Sequence, residues 1–342
     1  MVERVVSLER IRAARERITG RIHRTPMLSS ATAARFVEGA TGSRLRDGRL
    51  YVKAEHLQKT GSFKPRAALS KLTSLSAEER ASGVITLSAG NAAQAYAWAG
   101  AVEGVAVTVV MPARAVRSKV DASRDYGAEV VLHGEHVGET WARVQGLIAE
   151  RGLTLVHPFD DPEVIAGNGS TGLEILEDLP EVDVVVVGVG GGGCISGIAT
   201  ALKESRPQVR VFGVEPEGSD AVSQAMAAGE VVRIDPVSVA DGLGAPFAGE
   251  WTLPICSHYL DGIVLLDDPT ILGGLRFAAE RMKQVLEPAG AAALAAVLAG
   301  RIPIRDDERV CVVASGGNVE MGRLGEFLES PMPSATAELQ SA

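Results

Sequence analysis

Short runs of β-branched apolar residues alternate along the chain with longer Ala-rich segments of helical length. "LYVKAE" from Leu50, "GVITLSAG" from Gly83, "VAVTVVMP" from Val105 and "AEVVLHG" from Ala128 have the continuous apolar character of buried strands. "LTLVHPF" from Leu153, "VDVVVVGVGGGG" from Val182, "VRVFGVEP" from Val209 and "ERVCVVASGGN" from Glu308 have it too. Between them lie segments such as "AAQAYAWAGAVEG" and "CISGIATALKESRP", and the N-terminal "VERVVSLERIRAARERI" has the pattern of an amphipathic helix. Strands apolar on both faces, alternating with helices, predict parallel sheet covered on both sides. The fold class is therefore α/β. The strand–helix groups divide near residue 158, which predicts two lobes, although no Pro/Gly/Ser linker marks the boundary.

Composition narrows the function classes. Hydrophobic residues make up 46% of 342 and charged residues 23%, enough for a sizeable core. The formal charge of -9, with no Lys/Arg run, gives nucleic acid no electrostatic reason to bind. No apolar run approaches membrane-spanning length, and the N-terminus is too charged for a signal peptide. Cys194, Cys256 and Cys311 stand far apart without a CxxC pair, as reduced thiols in a cytoplasmic protein do.

The candidate chemistry sits where strands end. After Gly188 the chain runs through Gly190, Gly191, Gly192 and Gly193 into a helix. Such a turn lets successive N–H groups converge on one anion, and the helix N-terminus adds partial positive charge. A tight turn with nothing bound does not require the entropy cost of four glycines, so a phosphate is the reading. No Lys-Ser/Thr follows, so this is not a P-loop. A dinucleotide stays open, because Glu215 closes the next strand where a ribose-binding acid would sit.

Two further turns repeat the arrangement. In "LSAGNAAQAYA", Ser88, Gly90 and Asn91 fall at a strand-to-helix junction, able to receive a carboxylate or simply to cap the helix. In "VVASGGN", Ser315 offers a small hydroxyl at a strand's carboxyl end, or forms an ordinary turn. In "HLQKTGSFKPRAA", Lys59 and Lys64 lie close together, and neither alone indicates chemistry. His133 and His157 suit core or surface positions, and no HxxxH or HExxH pattern supports histidine-based metal catalysis.

Taken together, "KTGSFKPRAA", "SAGN", "GGGG" and "SGGN", in this order, resemble the fold-type II, tryptophan synthase β-like pyridoxal-phosphate enzymes. The threonine/serine dehydratase and serine racemase group is the nearer match. "RTPMLSS" from Arg24, "HPFDDPEVIAG" from His157 and "EPAGAAALAA" from Glu287 extend the likeness over most of the chain. The resemblance implies parallel-rich open twisted sheets flanked by helices. It also implies a large cofactor-binding domain at 1–82 and 159–330, a small domain at 83–158 and a flexible tail at 331–342.

By the same resemblance Lys64 carries pyridoxal 5'-phosphate covalently, and Lys59 is a solvated neighbour. Gly190 to Gly193 and the Cys194 amide hold the phosphate. Phe63 packs on the ring, Asn91 bonds its 3-hydroxyl and Ser315 meets the pyridine nitrogen. Ser88, Asn91 and the Ala92 amide are candidates for the substrate carboxylate. A hydroxyl cannot keep that nitrogen protonated as a carboxylate would, which favours β-elimination over a long-lived carbanion. The implied activity is a dehydratase (ammonia-lyase) acting on L-threonine or L-serine, in a homodimer.

Departures from the family pattern matter as well. Racemases of the group carry a second serine where this chain has Ala89, so two-base racemisation lacks its proton donor. A histidine that commonly follows the asparagine is Ala92 here. Metal-dependent members bind Mg2+ or Ca2+ in the loop after "GVEP". Glu215 and Ser219 suit that site, while Ala221 takes the second acid's place and Asp220 is one residue off. Glu287 either faces the cofactor cleft or is a helix-start acid. "ADGLGAPFAG", Ala240 to Gly249, would line the substrate pocket with few polar groups. The sequence ends soon after "SGGN", so the C-terminal regulatory domain of biosynthetic threonine dehydratases is not expected. Rival readings are a serine racemase or 3-hydroxyaspartate dehydratase of the same group, an NAD-dependent Rossmann dehydrogenase, and a non-catalytic pyridoxal-phosphate-binding protein.

Overall fold

A computed structural model describes residues 5–333. Among these residues ten strands form two sheets. The larger contains β1 (Met27–Ser30), β2 (Leu50–Lys53), β7 (Val184–Gly188), β8 (Arg210–Pro216), β9 (Gly262–Leu266) and β10 (Val310–Val313). Its order is β1-β2-β10-β7-β8-β9, parallel except for the antiparallel edge pair β1–β2. The smaller is wholly parallel: β3 (Val84–Leu87), β4 (Val107–Met111), β5 (Glu129–Leu132) and β6 (Thr154–Leu155), ordered β5-β4-β3-β6.

Alternation along the central strands explains the layers. Val184 and Val186 of β7, Val310 and Val312 of β10, and Phe212 and Val214 of β8 enter one core. Val185, Val187, Cys311, Val313, Val209 and Val211 enter the core on the opposite face. Each such side chain contributes roughly 1.5–3 kcal/mol when fully buried, which is why strands of this composition settle in the middle of a covered sheet. One face is covered by helix Pro288–Leu298, all of whose residues are buried, and the other by helix Gly193–Ser205. Gly290 has no room for a side chain, because a Cβ there would collide with the Gly316 carbonyl.

Helix Lys64–Thr73 packs against helices Asn91–Glu103 and Pro162–Asp178. Its Ala68, Leu69 and Leu72 share one core with Val84, Val107 and Val109 of the smaller sheet. Parallel pairing of β10 with β7 brings their carboxyl ends, and the turns that follow, to one edge.

The N-terminal amphipathic helix runs Leu8–Ile18, capped by the Ser7 side chain, and buries Ile11, Ala14 and Ile18. Strands β1 and β9 were not among the predicted strands. Of the expected tail, 334–342 lies outside the described residues. No helix among the described residues is long and apolar enough to cross a membrane.

Candidate active site

Lys64 opens its helix, with Phe63 at the N-cap and Pro65 in the first turn. Proline there costs no hydrogen bond and fixes where the helix starts. The lysine Nζ donates to the Pro158 carbonyl at 3.1 Å and stands 4.9 Å from the Phe63 ring centre. Burial pulls the amine down to about 8, and the nearby Cys194 and Glu287 oppose that shift without overcoming it. Lys59 stands apart in the turn Lys59–Gly61, partly exposed.

The glycine turn lies across the same segment. Gly191 and Gly193 pack on Phe159, the residue after Pro158, so closely that a side chain on either would collide with it. Gly192, with φ of 85°, is the N-cap of helix Gly193–Ser205, and no side chain caps that end. Among the described residues no protein acceptor takes the N–H of Gly190, Gly191, Gly192, Gly193 or Cys194. The carbonyls of Gly191, Gly192 and Gly193 are engaged elsewhere, by Thr252 Oγ1, Ser196 N–H and Asn168 Nδ2. Uncommitted donors beside a half-buried amine make a seat for an anion.

The other two turns meet through the Asn91 and Asn318 side chains. Asn91 Nδ2 donates to Glu287 Oε1 at 2.6 Å, and Asn318 Nδ2 donates to Asn91 Oδ1 at 2.8 Å. Ser315 is buried; its carbonyl accepts from the Phe63 N–H at 3.0 Å and its Oγ makes only a long 3.4 Å contact to the Ala289 carbonyl. Ser62 Oγ, two residues before Lys64, is buried with no partner. Ser88 accepts from the Gly90 N–H at 3.2 Å, and Ala92 follows in the first turn of a helix that no side chain caps. Burial and the charge of Asp241 push Glu287 up to about 7, against the hydrogen bond from Asn91 and the charges of Lys119 and Lys64. Glu287 is the N-cap residue of helix Pro288–Leu298 and also bonds Asn91, so the two positions open to it coincide.

A buried charge network holds this edge together. Arg66, two residues after Lys64 and fully buried, makes paired hydrogen bonds of 2.7–2.9 Å to both Glu55 and Glu174. Burial works against its charge, but the two carboxylates outweigh it and hold the guanidinium protonated. Lys53 Nζ adds a 2.7 Å ion pair to Glu174. Together they tie the Lys64 helix to β2 and to helix Pro162–Asp178.

The remaining candidates have other surroundings. Glu215 is buried in β8, where Oε1 accepts from Val222 N–H and Oε2 from Ser223 N–H and Oγ. It therefore caps helix Ala221–Ala228, and burial pushes it up to about 7. Ser219 Oγ donates to the Leu243 carbonyl. No group of three His, Cys, Asp or Glu among the described residues could hold a metal ion. His133 is exposed, whereas His157 borders the cleft, its Nδ1 accepting from the Asp160 N–H at 2.8 Å and its ring standing edge-on to Phe159.

The residues brought together around Lys64 fit pyridoxal phosphate. A half-buried amine, a run of free amides on closely packed glycines, and the orphaned Ser62 hydroxyl suit an aldehyde with an anionic arm. Sequence reasoning missed Phe159, Asn168 and Thr252, although "HPFDDPEVIAG" already marked the segment holding the first.

Comparison with known proteins agrees. A sequence profile of the family described as pyridoxal-phosphate dependent enzyme matches residues 18–316. The L-threonine ammonia-lyase of Thermotoga maritima is 38% identical over 325 residues, covering 95% of this chain and 78% of that protein. The solved T.th. threonine deaminase superposes with a TM-score of 0.82 at 41% identity, covering 92% of this chain and 99% of that one. Maize serine racemase superposes with a TM-score of 0.87 at 33% identity, covering 95% and 97%. The chain belongs to the pyridoxal-phosphate dependent enzymes of fold type II.

Proposed function

We propose that the protein is an ammonia-lyase that converts L-threonine or L-serine to a 2-oxo acid and ammonia by α,β-elimination. One observation carries the reading: an amine held near pKa 8 beside uncommitted backbone donors, in a chain 38% identical to an L-threonine ammonia-lyase. When bound, pyridoxal phosphate supplies an aldehyde carbon that captures amines and a conjugated ring that accepts electrons from a breaking Cα–H bond. Lys64 would hold it, Gly190 to Gly193 and the Cys194 N–H would seat its phosphate, and Phe63, Asn91 and Ser315 would flank its ring.

The chain's own groups then have defined tasks. Lys64 Nζ, freed when the substrate's amine takes its place, would take the Cα proton of the substrate. Ser88, the Asn91 amide and the Ala92 N–H receive its carboxylate at a helix N-terminus. The hydroxyl of Ser315 is too weak an acid to protonate a ring nitrogen, so the site favours prompt loss of the β-hydroxyl. Ala89 carries no proton to deliver to the opposite face, which favours elimination over racemisation.

The reading extends to a cytoplasmic homodimer acting on free amino acids. Three unpaired cysteines and the charge of -9 support the compartment and the absence of nucleic acid. A smaller domain at 83–158 is supported by the four strands between Val84 and Leu155. A coupled assay for 2-oxo acid release from threonine, serine and 3-hydroxyaspartate tests the proposal. Release from threonine or serine is expected, together with the visible absorbance of lysine-bound pyridoxal phosphate, both lost in Lys64→Ala. A colourless native protein that binds NAD, or one that racemises serine without releasing 2-oxo acid, overturns it.

A further inference from the structure

We propose that Thr252 and Asn168 are positioning residues that set the peptide planes of the glycine turn, so that its amides rather than its carbonyls face the cofactor phosphate. The inference rests on the phosphate reading of that turn given above.

A glycine turn has no intrinsic polarity: each residue offers one N–H and one C=O, and free rotation lets either point at a ligand. A carbonyl aimed at an anion repels it, so a phosphate seat needs its carbonyls held on the other side. Thr252, fully buried at the start of helix Thr252–Tyr259, donates its hydroxyl to the Gly191 carbonyl at 2.7 Å. The same Oγ1 accepts from the Gly249 N–H at 2.8 Å, and of the two carbonyls within its reach Gly191 at 2.7 Å is much nearer than Gly249 at 3.4 Å. Asn168, buried in helix Pro162–Asp178, donates Nδ2 to the Gly193 carbonyl at 3.1 Å. Its Oδ1 is buried without a partner, so no contact other than the glycine turn explains its polarity. The Gly192 carbonyl between them accepts from Ser196 within the turn's own helix. Three consecutive carbonyls are thus drawn to the protein side, two of them by side chains from distant helices. Asp160 accepts the N–H groups of Trp251 and Thr252 and holds Thr252 in place from the segment next to Lys64.

The experiment removes the cofactor and titrates the apoenzyme with pyridoxal 5'-phosphate and, separately, with pyridoxal, which lacks the phosphate. Thr252→Val and Asn168→Leu are each expected to weaken pyridoxal 5'-phosphate binding roughly three- to tenfold, the worth of one hydrogen bond. Pyridoxal binding stays unchanged, and Thr252→Ser, which keeps the donor, restores the wild-type value. The 31P resonance of the bound phosphate is expected to shift in Thr252→Val and return in Thr252→Ser. Equal losses for both ligands, or no loss for either, in both variants would overturn the positioning role. A wild-type protein that binds pyridoxal as tightly as its phosphate ester sinks the phosphate reading itself, and this inference with it.

Discussion

Asn91 and Glu287, 196 positions apart in the chain, are joined by a 2.6 Å hydrogen bond from the amide Nδ2 to the carboxyl Oε1. The bond brings the turn after β3 to the start of the helix covering the larger sheet. It also fixes a buried acid beside Lys64. Burial dominates the acid's behaviour, and the charge of Asp241 adds to it.

That acid makes stability depend on pH with a definite sign. Glu287 titrates near 4.5 when the chain is unfolded and near 7 when folded. Below the lower value both states hold the proton and the site contributes nothing. Between the two, only the unfolded chain has released it, so rising pH weakens folding until the loss is complete above the folded value. Glu287→Gln is therefore expected to stabilise the apoprotein by roughly 1–3 kcal/mol at about pH 8 and to be near neutral at about pH 4.5. Thermal melting at the two pH values measures it; an equal shift at both would remove the buried acid from the explanation.

The Lys64 amine predicts a kinetic profile. Only the neutral amine attacks an aldehyde, and burial brings its midpoint to about 8. Uptake of pyridoxal phosphate by the apoenzyme should accelerate with pH, level off above that midpoint, and run roughly a hundredfold slower two pH units below it. Stopped-flow absorbance gives the rates. Lys59→Ala should leave the profile in place, and Lys64→Arg should abolish uptake; a midpoint near that of an ordinary lysine would contradict the buried setting.

Arg66 carries the third prediction. Removing it strands the buried Glu55 carboxylate without a cation and leaves Glu174 with Lys53 alone. Arg66→Leu is expected to cost about 3–5 kcal/mol, as breaking a buried pair does. Adding Glu55→Gln, which leaves the Lys53–Glu174 pair intact, should recover part of that loss. Thermal midpoints of the apoproteins decide it; a single variant as stable as the wild type would show that the network contributes nothing.

How much of this was legible beforehand follows from the physics of each element. The central strands announced themselves because both of their faces are buried, as with Val184 to Val187. Strand β1 has four residues, two of them serines, and pairs only with β2 at an edge, so it shows no continuous apolar run. Strand β9 does carry one, Ile263 to Leu266, and was legible but passed over. Lys64, the four glycines, Asn91 and Ser315 stood out because each lies in a short motif. Phe159, Asn168 and Thr252 act on the glycine turn from other segments, and their effect depends on packing that no local spacing encodes. Arg66 drew no reading from the sequence, because its partners Glu55 and Glu174 enclose it only in the fold.

Glu215 shows how a residue suited to two roles is assigned by its neighbours. At the end of β8 it matched a cation ligand or a ribose-binding acid by position alone. In the fold, three donors from Val222 and Ser223 occupy its oxygens, three of the roughly four acceptor positions a carboxylate has. These contacts satisfy the first N–H groups of helix Ala221–Ala228, which ends at Gly229 in the left-handed conformation. A carboxylate so committed has little left to offer a divalent cation or a ribose. Chelation with EDTA is therefore expected to leave the melting temperature and the 2-oxo acid release rate unchanged. Glu215→Ala, by contrast, leaves two N–H groups buried without acceptors and should cost about 2–4 kcal/mol. A melting temperature that falls on chelation and returns with Mg2+ or Ca2+, but does neither in Glu215→Ala, would instead make this residue a cation ligand.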